Sequence, residues 1–368
     1  MVTKDKIYDY IIIGAGISGC CVAHNLYKHT KSILIIDKLD GVAKGASGAA
    51  GAFLSPLLGK QNKFKELVTK SLRYSTSFYQ NITPNTIDNC GTTRIPKNED
   101  DKIKFQSYIP YMDFEYIKDD DGYFFKDASV VNSQKTCINL VKDIEKLFNY
   151  KVESLEYIDN IWIINGKLKT KNIILTTGYC INLIDEFYLN IRPVWGQRID
   201  IETSTCITHN YHKECSVSKS IKKDNNMNIV SIGATHHRFV EDKKVNKEDT
   251  EFLLKKANDI INLKDLKVKA EFAGARASSV DYLPLVGTII DGLKTLKEFP
   301  YLKNGTNVNS DRFIRYKNLY ILNGVGGRGF VLAPYLANML VEYIINDIDI
   351  DSSIVVDRLF KREVKRLK

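Results

Sequence analysis

The residues best suited to chemistry are a glycine turn with an acid behind it and an arginine set among small residues. Gly14-Ala15-Gly16-Ile17-Ser18-Gly19 follows an apolar run over residues 7–13 and opens a helical stretch, and a second apolar run, 32–36, ends at Asp37. Gly14 allows a tight turn, Gly16 lets the backbone approach a pyrophosphate, and Gly19 lets the helix pack closely on the strand. The N-terminus of that helix then faces the phosphates. Asp37, followed by Lys38, stands where a carboxylate can bind both hydroxyls of an adenosine ribose. Strand, turn, helix and acid in register predict a dinucleotide site; the bland alternative is an ordinary glycine-rich turn.

Three further segments carry candidate groups. Residues 45–56, GASGAAGAFLSP, are mostly Gly, Ala and Ser, and read either as a flexible surface loop or as a backbone cradle along an extended cofactor. In the cradle reading Ser47 donates to a phosphate or ribose. Arg276 lies in the run AGARASSVDYLPLVG, with little bulk beside it. Its planar fork suits a bidentate grip on a carboxylate, and the alternative is a structural ion pair to Asp281 or Glu271. Gly326-Gly327-Arg328-Gly329-Phe330 precedes the last long helix. Backbone amides there could hold an electron-rich ring edge, and Arg328 either joins them or faces solvent.

At 368 residues the chain exceeds what one growing core supports, so two domains are expected. The spacing predicts helices over 64–81, 133–148 and 333–345, and strands over 151–158, 161–164, 172–176 and 318–323. Residues 192–271 alternate as strands of a half-exposed antiparallel sheet. A strand, glycine turn and helix at both ends imply one nucleotide domain of discontinuous segments with another inserted. The apolar stretch 11–23 is too short to span a bilayer, and Asp9 with the glycine motif argues against a signal peptide. Seven scattered cysteines without a CxxC point to a reducing, cytoplasmic setting, and no metal site is expected. His236 and His237 are adjacent, so on a strand they face opposite ways. A net charge of +9 favours a polyanionic partner slightly, although Lys is also the default solvated residue.

Four blocks in order carry a family resemblance: IIIGAGISG with Asp37, GASGAAGAFLSP, IILTTG over residues 173–178, and AGARASSVDYLPLVG followed by NGVGGRGFVLAP. The chain resembles the FAD-dependent D-amino acid oxidase/glycine oxidase superfamily. Within it, the pairing of the last two blocks is similar to the oxidoreductase half of the bifunctional enzyme that builds methylaminomethyl-2-thiouridine at the tRNA wobble position. The resemblance implies an α/β (α+β overall) fold. Its Rossmann-like FAD-binding domain would comprise residues 1–85, 130–190 and 276–368, and a substrate domain with a mainly antiparallel sheet would comprise 86–129 and 191–275.

It also implies ADP contacts from the first glycine turn and Asp37, and ribityl and ring contacts from Ala46, Ser47, Ala49, Ala50, Gly51 and Ala52. Val152 would meet adenine from its strand, and Thr177-Gly178 would pass near the pyrophosphate. The flavin pyrimidine edge would rest on Gly326, Gly327, Gly329 and Phe330, with Arg276 and Arg328 as catalytic residues. The implied reaction removes the carboxymethyl group of carboxymethylaminomethyluridine as glyoxylate, with tRNA as partner and the methyltransferase step left to a separate protein. The alternatives are an amine oxidase for glycine, sarcosine or D-amino acids, and a flavin-binding protein without turnover. No His or Cys lies within residues 48–52, so a covalent flavin link is not expected at that position.

Overall fold

The computed structural model describes residues 6–119, 122–223, 226–240 and 244–367. An eight-stranded mixed sheet, parallel at its centre and antiparallel where Leu155–Ile158, Ile161–Ile164 and Leu285–Ile290 join it, forms its first layer. Strand β1 (Ile7–Ile13) lies between β2 (Ile33–Ile36) and the strand Leu168–Leu175. Glu145–Leu147 pairs with the outer side of β2, and Arg315–Asn323 with the far side of Leu168–Leu175, all parallel. A sheet covered on both faces needs apolar residues at successive positions, and β1 has them. Tyr10 and Ile12 enter the core under helix α1 (Ile17–Leu26), while Tyr8, Ile11 and Ile13 enter the core on the opposite face.

The second layer is a ten-stranded sheet whose longest pairing joins Ile191–Thr203 to the edge strand Lys267–Ser279, antiparallel along nearly their whole length. It is antiparallel throughout except where Asn210–His212 runs parallel to Thr92–Arg94. The mixed α/β class with a mainly antiparallel second sheet therefore agrees with the sequence reading. Strand Lys267–Ser279 runs unbroken through positions 275–276, where that reading changes segment.

Three elements differ from expectation, the first being the helix Lys247–Asn258, which interrupts the stretch 192–271 read as alternating strands and is capped by Asn246 accepting the Asp249 amide. The helix predicted over 133–148 stops at Leu140, and Glu145–Leu147 is a strand. The apolar spacing is real, since Val141 and Ile144 are still buried, but the open edge of β2 offers ladder bonds that a further helical turn would forgo. The strand predicted over 151–158 starts only at Leu155, because Asn165 Oδ1 accepts the Glu153 and Ser154 amides. The other predicted helices occur as Lys63–Ile82 and Gly329–Asn346. The latter is long and apolar enough to cross a membrane, yet Leu332, Leu336, Ala337 and Leu340 are wholly buried in the core it shares with α1 and Lys63–Ile82.

A bidentate ion pair closes the turn between Lys267–Ser279 and Leu285–Ile290. Arg358 Nε and Nη2 donate to Asp281 at 2.8 and 3.0 Å, and Arg358 Nη2 also donates to the Leu283 carbonyl at 2.7 Å. Burial opposes the charged carboxylate, but Arg358 outweighs it and holds the Asp281 pKa below the ordinary value. A depressed carboxyl pKa contributes stability above its unfolded value and loses it as pH falls through the folded value. Arg358→Met is therefore expected to lower the melting temperature by a few degrees at pH 7, for a loss of ~1–3 kcal/mol. The gap to wild type should narrow below about pH 4. Thermal melts of both proteins from pH 3 to 8 check this, and a gap independent of pH would remove the ion pair as its cause.

Candidate functional site

The first glycine turn is held by steric necessity. Gly14 has φ +116°, and a Cβ there would lie 2.3 Å from the Thr176 carbonyl oxygen. A Cβ on Gly19 would lie 1.9 Å from the Gly14 carbonyl oxygen, so α1 reaches the strand end only because both side chains are absent. Asp37 closes the unit: its Oδ2 accepts the Ala15 amide at 2.7 Å and its Oδ1 the Leu39 amide at 2.9 Å. Lys38 turns to Cys180 Sγ at 3.1 Å.

The small-residue run lies across the start of α1. Ala46–Ala49 form a short helix, and Ser47 Oγ accepts the Ile17 amide at 2.9 Å, a donor that a helix start offers to anions. Ser18 beside it is buried. A Cβ on Gly16 would meet Ser47 Oγ at 3.2 Å, and one on Gly274 would lie 2.8 Å from Ala46 Cα. The run is thus seated between α1 and the second sheet and is not a free loop. Beyond it, the Ala50 carbonyl accepts from Arg198, Gly51 lies against the Phe53 ring, and Ala52 adopts φ +49°.

Thr176 Oγ1 donates to the Ile13 and Gly14 carbonyls, and Gly178, at φ +65°, accepts from Asn323 at 2.9 Å. Between them Thr177 Oγ1 is buried with no hydrogen-bond partner among the described residues. Val152 is buried in the core that also holds Ile13 and Ile36, but it lies ahead of the strand expected to carry it, which begins at Leu155.

The second glycine turn joins the first. A Cβ on Gly329 would sit 3.1 Å from the Ile17 side chain, and one on Gly327 would sit 3.4 Å from Arg276 Cδ. Gly326 takes φ +57°, and the helix begins at Gly329 rather than 333, with Phe330 buried at its start. The Phe330 and Val331 carbonyls accept from Tyr79 and Ser75, which fixes that start against Lys63–Ile82.

Arg276 projects across Gly196, whose missing side chain leaves room for the guanidinium, and its Nη1 donates to the Thr235 carbonyl at 3.1 Å. Neither acid considered from sequence is its partner. Asp281 belongs to Arg358, and Glu271 accepts from Thr250 and Gln197. Among the described residues no carboxylate pairs with Arg276, and burial pushes its pKa down to about 10. Arg328 donates to the Ser55 carbonyl at 3.1 Å and is likewise pushed by burial to about 10, so it points inward and not to solvent.

Several residues of this region were not visible in the sequence. Arg94 donates to the Pro56 carbonyl at 3.1 Å, and its strand partner His212 lies beside it on the same sheet. His236 lines a cavity of about 480 Å³ with both, while His237 turns the other way to Asp249 at 2.9 Å. Burial, then Arg276, pushes the His236 pKa down to about 4; burial, then Arg94, holds His212 well below its ordinary value. Both rings are therefore neutral at pH 7. Only the pairing of residues far apart in sequence could have found Arg94 and His212.

The chain as a whole is similar to known proteins. The family model for FAD dependent oxidoreductases (DAO) matches residues 9–343, and the chain belongs to that family. It is 26% identical over 379 residues to the tRNA 5-methylaminomethyl-2-thiouridine biosynthesis bifunctional protein MnmC of Legionella pneumophila, strain Philadelphia 1, covering 95% of this chain and 56% of the relative. It is 22% identical to the protein of the same name from Campylobacter fetus, covering 93% and 57%. The chain thus spans little more than half the length of these relatives. In fold it is similar to glycine oxidase from Bacillus cereus, with a TM-score of 0.74, 17% identity, and coverage of 93% of this chain and 96% of that one. Iminodiacetate oxidase from Chelativorans sp. BNC1 gives a TM-score of 0.71 at 15% identity, covering 94% and 98%.

Gly16 and Gly19 should respond differently to a side chain. Gly16→Val crowds Ser47 and the space before α1, and is expected to remove bound flavin with little change in far-ultraviolet circular dichroism. Gly19→Val cannot avoid backbone and should also lower stability. Flavin absorbance per mole of protein, read beside a thermal melt, checks both; full flavin content in Gly16→Val would refute the assignment.

Proposed function

We propose that the chain binds FAD and oxidatively removes the carboxymethyl group from carboxymethylaminomethyl(-2-thio)uridine at the tRNA wobble position, leaving aminomethyluridine and releasing glyoxylate. The observation that carries this reading is Arg276: a buried guanidinium without a carboxylate, lying against the second glycine turn. The names of the curated relatives support the tRNA substrate, and the family supports the cofactor.

In this reading the first glycine turn, Ser47 and Thr177-Gly178 hold the diphosphate end, and Asp37 the ribose. Ala49 to Ala52 follow the ribityl chain, and Gly326 to Phe330 meet the ring edge. When bound, FAD supplies the two-electron oxidation of the carbon–nitrogen bond. The protein's share is placement. Arg276 grips the glycyl carboxylate and so fixes the α-carbon and the amine. Gly196 and Gly327 leave room for that grip, and the Thr235 carbonyl holds the guanidinium in line. Arg328, tied to Ser55, adds positive charge at the second turn. Water then hydrolyses the oxidised carbon–nitrogen bond, releasing the two-carbon fragment as the aldehyde acid.

The second reading is a small-molecule amine oxidase, favoured by the fold's likeness to glycine oxidase and iminodiacetate oxidase. Iminodiacetate also carries a carboxymethyl group on nitrogen, so Arg276 would serve either substrate alike. Mass spectrometry of nucleosides, after the protein is incubated with carboxymethylaminomethyl-modified tRNA, separates the two. Appearance of aminomethyluridine with glyoxylate is the expected result; efficient glycine or sarcosine turnover with unchanged tRNA would replace it by the second reading.

Arg276→Ala should slow single-turnover flavin reduction by roughly two orders of magnitude or more, because a charge-assisted bond worth a few kcal/mol is lost. Arg276→Lys should recover only part of this, lacking the fork. Flavin content and melting temperature should change little. Reduction at the wild-type rate in Arg276→Ala would end the carboxylate role.

A further inference from the structure

The cavity beside Arg276 holds more positive charge than a glycine-sized substrate can use. It is about 480 Å³, in the range of pockets that bury much larger ligands, and Arg94, Lys97 and Lys213 lie along its wall. The wall also carries two carboxylates: Glu214 pairs with Lys256, and Asp101 accepts the Lys97 backbone amide at 3.0 Å. Arg94 has only neutral acceptors. Its Nη1 reaches the Pro56 carbonyl at 3.1 Å and Ser55 Oγ at 3.5 Å, and its Nε is buried with no partner. Arg328 binds the carbonyl of the same Ser55, so one short segment carries two guanidinium groups. Among the described residues neither is hydrogen-bonded to a carboxylate; Asp101 acts on Arg94 only through its charge at longer range, as does Arg328 with the opposite sign.

Two like charges on one tether, largely out of water and with no acid bonded to either among the described residues, repel one another unless an anion shares their space. The neighbouring His212 cannot supply charge of either sign at pH 7, being neutral. Arg94 lines the pocket, its guanidinium is a planar fork suited to phosphate, and lysines along the same wall suit an anion that continues beyond the pocket. Tyr108 adds a flat apolar surface of the kind on which a base stacks.

We propose that Arg94 anchors a phosphate of the nucleotide whose carboxymethylamino arm reaches Arg276, so that the substrate is gripped by an anion at each end. This rests on the tRNA reading, and it names the residue that separates a nucleotide substrate from free glycine.

The test is equilibrium binding to the FAD-loaded protein, followed through the flavin absorbance spectrum. The probes are uridine, uridine 5′-monophosphate and uridine 3′-monophosphate. At least one monophosphate should bind roughly tenfold or more tightly than uridine, as one charge-assisted pair would give. That preference should largely vanish in Arg94→Gln and partly return in Arg94→Lys, with melting temperature and flavin content read on the same samples. Equal binding of all three probes to the wild-type protein overturns the proposal without recourse to any variant, and so does a preference that survives in Arg94→Gln. Iminodiacetate binding that depends on Arg94, with no nucleotide preference, also overturns it and makes the anion a second carboxylate. The two readings fail separately. A phosphate preference with unreacted tRNA removes the tRNA substrate alone, whereas converted tRNA without that preference removes the Arg94 site alone.

Discussion

Cations held by carbonyl oxygens, with no acid bonded to them among the described residues, are the constraint on which the rest of this structure depends. Arg276 rests on Thr235, Arg328 on Ser55, and Arg94 on Pro56. Taking an unpaired guanidinium out of water costs several kcal/mol even after relaxation, and carbonyl dipoles return only part of it. The remainder must come from the packing around it. The long antiparallel pair that carries Arg276, and the two cores flanking β1, provide burial on the necessary scale. An acid beside each arginine would make a more stable protein with no grip left for an anionic ligand.

The nearby acids are committed elsewhere, and those commitments do structural work. Asp281, five positions after Arg276, is turned away by Arg358 and closes the turn between the two sheets. Glu271 is drawn toward Thr250 and Gln197. Arg198 is the contrast: it stacks on Phe272 with its guanidinium carbon 4.2 Å from the ring centre, meets Asp200 at 3.5 Å, and gives its shortest bond, 2.7 Å, to the Ala50 carbonyl. This arginine has an acid, and its task is to hold the small-residue run in place. Absent side chains complete the arrangement, since Gly274 admits Ala46, and Gly196 admits the Arg276 guanidinium.

What could be read in the sequence was what is local. The β1–turn–α1–β2–Asp37 unit folds as expected because its turn, close packing and acid contact are all made within thirty-odd residues. The second turn was legible for the same reason. The end of the helix after Leu140 was not, because a strand edge formed by β2, distant in sequence, outcompetes another helical turn. Arg94 lies in a polar stretch with no motif, and only its register with His212 shows that it faces a cavity. Sequence alone left Arg276 suspended between anchor and ion pair, since Asp281 lies so near and Arg358 so far along the chain.

The electrostatics of the cavity follow from which of its groups can change charge. Arg94, Arg276 and Arg328 are lowered by burial to about 9, 10 and 10, which still leaves each of them positive at neutral pH. His236 is driven to about 4 by burial and by Arg276, so the same desolvation that lowers the arginines silences the imidazole beside them. Near pH 7 the wall therefore keeps its positive charge and neutral histidines, so an anion bound there meets a field that no imidazole alters. Constancy of this kind suits a site whose work is placement, with the electron chemistry supplied by the cofactor.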